Sequence, residues 1–290
     1  YATVDGPGGK VRGPYDAVLL TSGVLGGGTR AYDFRLDLRA VYQYVCKNHP
    51  KADEPQYPLW QGLPMDSKLT RAELATRVDE CTGVRKPAAQ RTDAQKANLA
   101  TIVNVIRIEE RSLIGHLNWA TWLFRVVTQL SLGNRNPFGN ANVVYKGSAN
   151  DAALNAGVPR YTPDPAAVAE LAKDSDPQGT VNVPVLSLHA IKDPTAFVEL
   201  QSAYRDVLQR AGTAHLLVQT YSDEAEHSYL AEAQYPALFT ALLDWVDRGA
   251  KPTPQSILAL CKGYEAAYSS TCKLLPDYQS PPLASRVAPR

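Results

Sequence analysis

The stretch Val183-Pro-Val-Leu-Ser-Leu-His-Ala-Ile-Lys-Asp-Pro194 decides the fold. Val183 to Leu188 is an almost unbroken apolar run, with its proline at the start, where a strand tolerates a missing N–H. Apolar residues in succession, rather than in alternation, mark a strand buried on both faces, as in a parallel sheet. Pro194 to Ala211 then reads as a helix stopped by Gly212, and Leu216 to Tyr221 as another strand. A polar loop, Ser222 to Ser228, leads into an amphipathic helix over Glu232 to Arg248, ended by Gly249. Strand–helix–strand–helix spacing of this kind predicts a parallel sheet with right-handed crossovers.

Upstream, Ala17 to Thr21 has the same continuous apolar character and ends at Ser22-Gly23. The Gly-rich loop Val24 to Gly28 follows at the carboxyl end of that strand, the end at which open α/β sheets bind ligands. Tyr1 to Pro14 reads as the close of an element followed by a loop. Between these strands the buried-strand pattern does not recur. A helix is expected over Phe34 to Val45, another after the capping box of Thr70 and Glu73, and two more over Asp93 to Ile108 and Ser112 to Leu132. The last of these is apolar almost all round and is therefore buried or lines a cavity. Asn134 to Pro165 reads as an irregular excursion. The expected organisation is α/β: sheet core in residues 1–30 and 166–255, a large helical insertion in 31–165, and a C-terminal tail in 256–290.

The charge balance is 30 basic against 29 acidic side chains, net +1, with no Lys/Arg run. That balance gives no electrostatic footprint for a nucleic-acid partner. The longest apolar stretches are too short to span a bilayer. Four cysteines, Cys46, Cys81, Cys261 and Cys272, stand at spacings unlike a zinc site. Cys261 with Cys272, and Cys46 with Cys81, bracket loop-rich segments that a disulfide would stabilise, which points to a secreted or periplasmic protein. Neither a metal nor an organic cofactor is implied.

The chemistry is suggested by where an acid and a base fall. Asp193 lies five residues beyond Leu188, and His227 six residues beyond Tyr221, in equivalent loops after successive strands. Adjacent parallel strands would set those loops side by side. A carboxylate there accepts Nδ1–H of the imidazole and leaves Nε2 free as a general base. Taken singly, Asp193 before Pro194 also suits a helix N-cap, and a histidine in a polar loop suits plain solvation. His189 suits support of the acid loop, and His116 a satisfied core or cavity histidine.

The segment from Val183 to Pro194 resembles the acid-bearing strand and loop of α/β-hydrolase esterases, vPvLxxHGxxDP, with Ala190 where glycine is usual. Tyr221 to Ser228 is similar to their histidine loop, with Glu226 in place of the commoner glycine, and Trp245 to Pro254 to their final helix and its exit. The order acid then histidine is also theirs. The resemblance implies ester hydrolysis through an acyl-serine intermediate, with His227 as base then acid and Asp193 as its orienter. It puts the insertion at the cap position, with Trp119, Trp122 and Phe138 as candidate substrate-lining residues. No GxSxG elbow occurs: Ser22, Ser148 and Ser228 lack the flanking glycines. The resemblance therefore implies a serine upstream of Tyr1, on a segment or subunit that also adds strands, with Tyr1-Ala-Thr-Val as the tail of the helix after it. The competing readings are an inactive hydrolase-like binding module and a peptidase of the same fold.

Overall fold

The computed structural model describes residues 3–6 and 9–289, with side chains from Gly13 onward. In chain order the elements are β1 (Thr3–Gly6), β2 (Gly9–Arg12), β3 (Val18–Thr21), α1 (Gly28–Cys46), α2 (Arg71–Thr82), α3 (Asp93–Ile106) and α4 (Leu113–Asn118). They continue with α5 (Asp151–Gly157), α6 (Pro165–Ser175), β4 (Val185–Ala190), α7 (Glu199–Arg210), β5 (Leu217–Ser222), α8 (Gln234–Arg248) and α9 (Pro254–Tyr268). The chain is thus mixed α/β, with two compact units: Tyr1–Gly26 with Pro177–Ser285, and Gly27–Asp176 with Arg286–Arg290.

The first unit is built on a parallel sheet in the order β3-β4-β5. Val18 lies opposite Val185, and Val185 opposite Leu217. Side chains alternate across a strand, and β4 uses both faces. Leu186, Leu188 and Ala190 join α8 and α9 in one core, through Ala237, Leu238, Ala241, Ile257 and Cys261. Val185 joins Tyr204, Val207 and Leu208 of α7 on the other face. All six β4 residues are buried, as its composition predicts, whereas Val18, Leu19 and Leu20 of β3 are only half-buried. The difference follows from position: β4 is central, and β3 is paired with β4 alone among the described residues.

Three expectations change. Thr3–Gly6 is a strand paired antiparallel with Gly9–Arg12, so Thr3 and Val4 do not end a helix, while Tyr1 and Ala2 lie outside the described residues. The C-terminal segment is part of the sheet unit rather than a separate tail. Its helix α9 begins with a capping box between Thr253 and Ser256 and buries Ile257 and Cys261. Beyond it, Leu275 N–H donates to the carbonyl of Tyr221 at 2.8 Å, and Asp223 N–H to that of Lys273 at 2.9 Å. That strap pairs antiparallel with the end of β5. Finally, α6 belongs with the helical unit, where it packs on α1 and buries Ala167 and Leu171.

The helical unit follows its local signals. The capping box expected at Thr70 is formed, and a second one, between Thr92 and Gln95, opens α3. The expected helix over Ser112 to Leu132 starts as α4 and continues in π turns over Trp119–Leu123 and Val126–Ser131. Gly62, at φ 75°, lies where an added Cβ would come within 2.1 Å of the Thr121 carbonyl oxygen, so only glycine fits. Both disulfides are present, Cys46–Cys81 and Cys261–Cys272, with Cα separations of 5.7 and 5.9 Å. Among the described residues no helix is long and apolar enough to cross a membrane.

Candidate functional site

Because β4 and β5 are parallel neighbours in register, their carboxyl ends lie together, and so do the loops that follow. The two loops are tied by backbone: Ile191 N–H donates to the carbonyl of Ser222 at 3.0 Å, and Lys192 N–H to that of Glu224 at 3.1 Å. Lys192 and Asp223 add an exposed ion pair at 2.7 Å, a contact worth little in water.

Asp193 and His227 meet across these loops, with His227 Nδ1 2.8 Å from Asp193 Oδ2. The carboxylate side chain has no exposed surface, while the imidazole is 38% exposed. Each carboxylate oxygen has a separate task. Oδ1 accepts from the N–H groups of Thr195 at 2.7 Å and Ala196 at 2.9 Å, and Oδ2 faces the imidazole. Asp193 therefore caps a local turn, as its place before Pro194 suggests, and also holds His227. Helix α7 begins only at Glu199, so the capped turn is separate from it.

A second histidine stands behind the acid. His189 occupies a fully buried position on β4, with Nε2 2.8 Å from the carbonyl of Ala196 and 3.5 Å from Asp193 Oδ2. Its Nδ1 lies 3.1 Å from the Gln201 amide nitrogen, and the Gln201 amide oxygen accepts from Ser187 at 3.3 Å. This pattern fits the neutral tautomer with hydrogen on Nε2. Burial lowers the His189 pKa below the ordinary 6.5, outweighing the attraction of the carboxylate. Ser187 and His189 are the two polar residues on the β4 face toward α7, and Gln201 is the α7 residue that satisfies them. Nothing in the sequence pattern marks Gln201 as part of a site. Its one signal there is a polar side chain on what proves to be the buried side of α7.

The histidine loop is held from below by Glu224, which accepts from Ala231 N–H at 2.8 Å and from the Gln234 amide at 2.9 Å. Lys273 of the C-terminal strap lies 3.6 Å from the same carboxylate. Glu224 thus ties the start of the histidine loop to its exit at Ala231 and to the first residue of α8. Two residues past His227, Tyr229 has φ 62° and lies 98% exposed. Left-handed backbone at a residue with no packing to compensate it is a local strain. Among the described residues, His227 Nε2 has no partner, so the nitrogen a base would use is free.

The other candidates belong to the helical unit or to strand ends. Phe138 is fully enclosed, stacked on Phe124 with ring centroids 4.1 Å apart, in the core of that unit. Trp122 is half-buried, with the guanidinium of Arg71 5.4 Å from its ring centroid. Trp119 is exposed, 6.2 Å from the Tyr32 ring. His116 is buried and packs edge-on to Phe34. Ser148 Oγ donates to Asp151 at 2.6 Å, which engages its proton. Ser22 ends β3 with φ 54°, and its N–H donates to the carbonyl of Leu188.

Fold and geometry together define a class: an α/β protein with a buried, backbone-anchored acid and a histidine at the ends of adjacent parallel strands. No family model, curated protein or solved structure matches the chain.

Proposed function

We propose that this chain carries the acid and base of a serine hydrolase acting on carboxylic esters in an oxidising compartment, secreted or periplasmic. The observation that supports it most is the Asp193–His227 pair at 2.8 Å, with the acid enclosed and the distal imidazole nitrogen unpartnered. Asp193 fixes the tautomer with hydrogen on Nδ1. Nε2 then takes the proton of an attacking hydroxyl and returns it to the leaving alcohol. In this reading the carboxylate stabilises the imidazolium that forms. The attacking serine comes from a segment upstream of Tyr1, and with it the oxyanion-binding N–H groups.

The test uses the protein in its natural polypeptide context, purified and treated with a fluorophosphonate probe and with p-nitrophenyl acetate. One serine should be labelled, and mapping should place it before Tyr1. Replacement His227→Ala should abolish both labelling and turnover, with kcat lower by about 10^4 or more. Wild-type turnover in that variant would overturn the assignment. Labelling of Ser22 instead would refute the placement of the nucleophile.

A further inference from the structure

Helix α1 carries two arginines one turn apart, Arg35 and Arg39, both enclosed in the helical unit. Their surroundings differ. Arg39 donates from Nη1 to the carbonyl of His49 at 2.8 Å, and from Nη2 to that of Gly62 at 3.2 Å and to the Tyr57 hydroxyl at 3.3 Å. It is a structural tie between α1 and the chain that follows. Arg35, 1% exposed, makes a single hydrogen bond, from Nη1 to the carbonyl of Ala31 at 2.7 Å. Around it stand three rings, with centroids 4.7 Å (Phe34), 4.9 Å (Trp119) and 5.3 Å (Tyr32) from the guanidinium carbon.

Aromatic faces stabilise a cation but offer no lone pair to its N–H groups. Among the described residues neither Nε nor Nη2 of Arg35 has an acceptor, no carboxylate pairs with the guanidinium, and Nε is shut off from solvent. Burial lowers the Arg35 pKa to about 10, so the group remains cationic at neutral pH. A buried charge is ordinarily paired, and this one is not. The unused atoms are also the informative ones. Nε and Nη2 form the side edge of the guanidinium, whose two parallel N–H bonds match the two oxygens of a carboxylate. Tyr32 is half-buried and Trp119 is 40% exposed, so two walls of the cage reach the surface.

We propose that Arg35, framed by Tyr32, Phe34 and Trp119, anchors a binding site for a small carboxylate with an apolar body. The carboxylate is taken bidentate on the Nε/Nη2 edge, and the apolar body rests on the Trp119 ring. The proposal does not depend on the hydrolase reading, since binding rather than turnover is its readout.

The probe is benzoate, with neutral benzamide and inorganic phosphate as comparisons at fixed ionic strength, titrated into the protein in its natural polypeptide context. Guanidinium N–H signals are followed by 1H–15N NMR, and thermal stability in parallel. One buried Nε–H should move saturably with benzoate and not with benzamide, and the melting temperature should rise with the same midpoint. Arg35→Lys, which keeps the charge and loses the fork, should weaken benzoate at least tenfold. Should that variant fail to fold, Trp119→Ala at the exposed wall should weaken benzoate severalfold and shift the same resonance. An unmoved Nε–H, an equal response to benzamide, a response to phosphate alone, or wild-type affinity in Arg35→Lys would each overturn the proposal.

Discussion

At Asp193 two functions meet in one carboxylate, and they can be separated by substitution. Oδ1 satisfies two backbone N–H groups, and Oδ2 orients an imidazole. In Asp193→Asn the amide oxygen can still serve Thr195 and Ala196, while the amide nitrogen would face Nδ1–H as a second donor. Stability should therefore fall by less than about 1 kcal/mol, whereas on the proposed hydrolase reading kcat should fall by about 10^4, because the tautomer is wrong. Asp193→Ala removes both roles and leaves buried donors unmatched, at about 1–3 kcal/mol. Thermal unfolding beside turnover for the two variants checks this, and equal destabilisation by both would refute the division of labour. The buried histidines give a second expectation. Burial lowers the pKa of His189, and lowers that of His49 well below 6.5. A histidine held neutral in the fold binds a proton more readily when unfolded, so unfolding takes up protons below about pH 6.5. Stability is then fully present above that value and declines as pH falls through it, by at most about 1.4 kcal/mol per pH unit for each histidine. Melting temperatures from pH 8 to 5 should fall on the acid side, and less steeply in His49→Gln; a flat profile would contradict the buried neutral state.

Among the elements, the strap after α9 does the most for the candidate site. Cys261 lies buried on α9, and its disulfide to Cys272 delivers Lys273, Leu274 and Leu275 to the edge of β5. Those residues bond Tyr221 and Asp223 at the root of the histidine loop. Loop closure of this length contributes about 3 kcal/mol in the chain-entropy picture. Cys272→Ser should therefore lower stability by that order and, more specifically, speed amide hydrogen exchange over residues 221–231. Unchanged exchange there would show that the strap does not brace the loop. The sequence makes the cysteine pairing legible but not this role. A polar, aromatic-rich segment carries no periodic signal for an edge contact, and the Thr253/Ser256 capping box is a weak start signal for α9. By contrast β4, β5 and α8 are legible because burial on two faces, or on one helical stripe, leaves a composition or period that little else produces. The acid and histidine positions follow from those strands. Gln201 and Glu224, which hold them in place, are ordinary polar residues whose partners appear only when distant segments meet.

At the scale of the molecule, the sheet sets the last expectation. β4 is flanked by strands on both sides, and the far edge of β5 is partly closed by the strap. β3 has one partner among the described residues, and its outer edge presents N–H and C=O groups without a ladder. Its Val18, Leu19 and Leu20 are half-buried although the run is as apolar as that of the fully buried β4. An apolar strand with an open edge is a template for pairing with another chain. Burying the remaining apolar surface of such a strand is worth roughly 25 cal/mol per Å². A further strand beside β3 would therefore stabilise the sheet and suppress self-association, and the proposed serine-bearing segment is the natural source of it. Residues 1–290 expressed alone should sediment as concentration-dependent oligomers and unfold over a broad range. Co-expression with the upstream segment should give a single sedimenting species and a sharper transition at higher temperature. Replacing Thr21, the exposed residue of β3, with Lys should reduce oligomers of the isolated chain, since a charge at an edge disfavours strand addition, and should weaken association of the co-expressed pair. A cooperative, monomeric 1–290 with unchanged behaviour in Thr21→Lys would show that the β3 edge is already covered and that the sheet needs no partner.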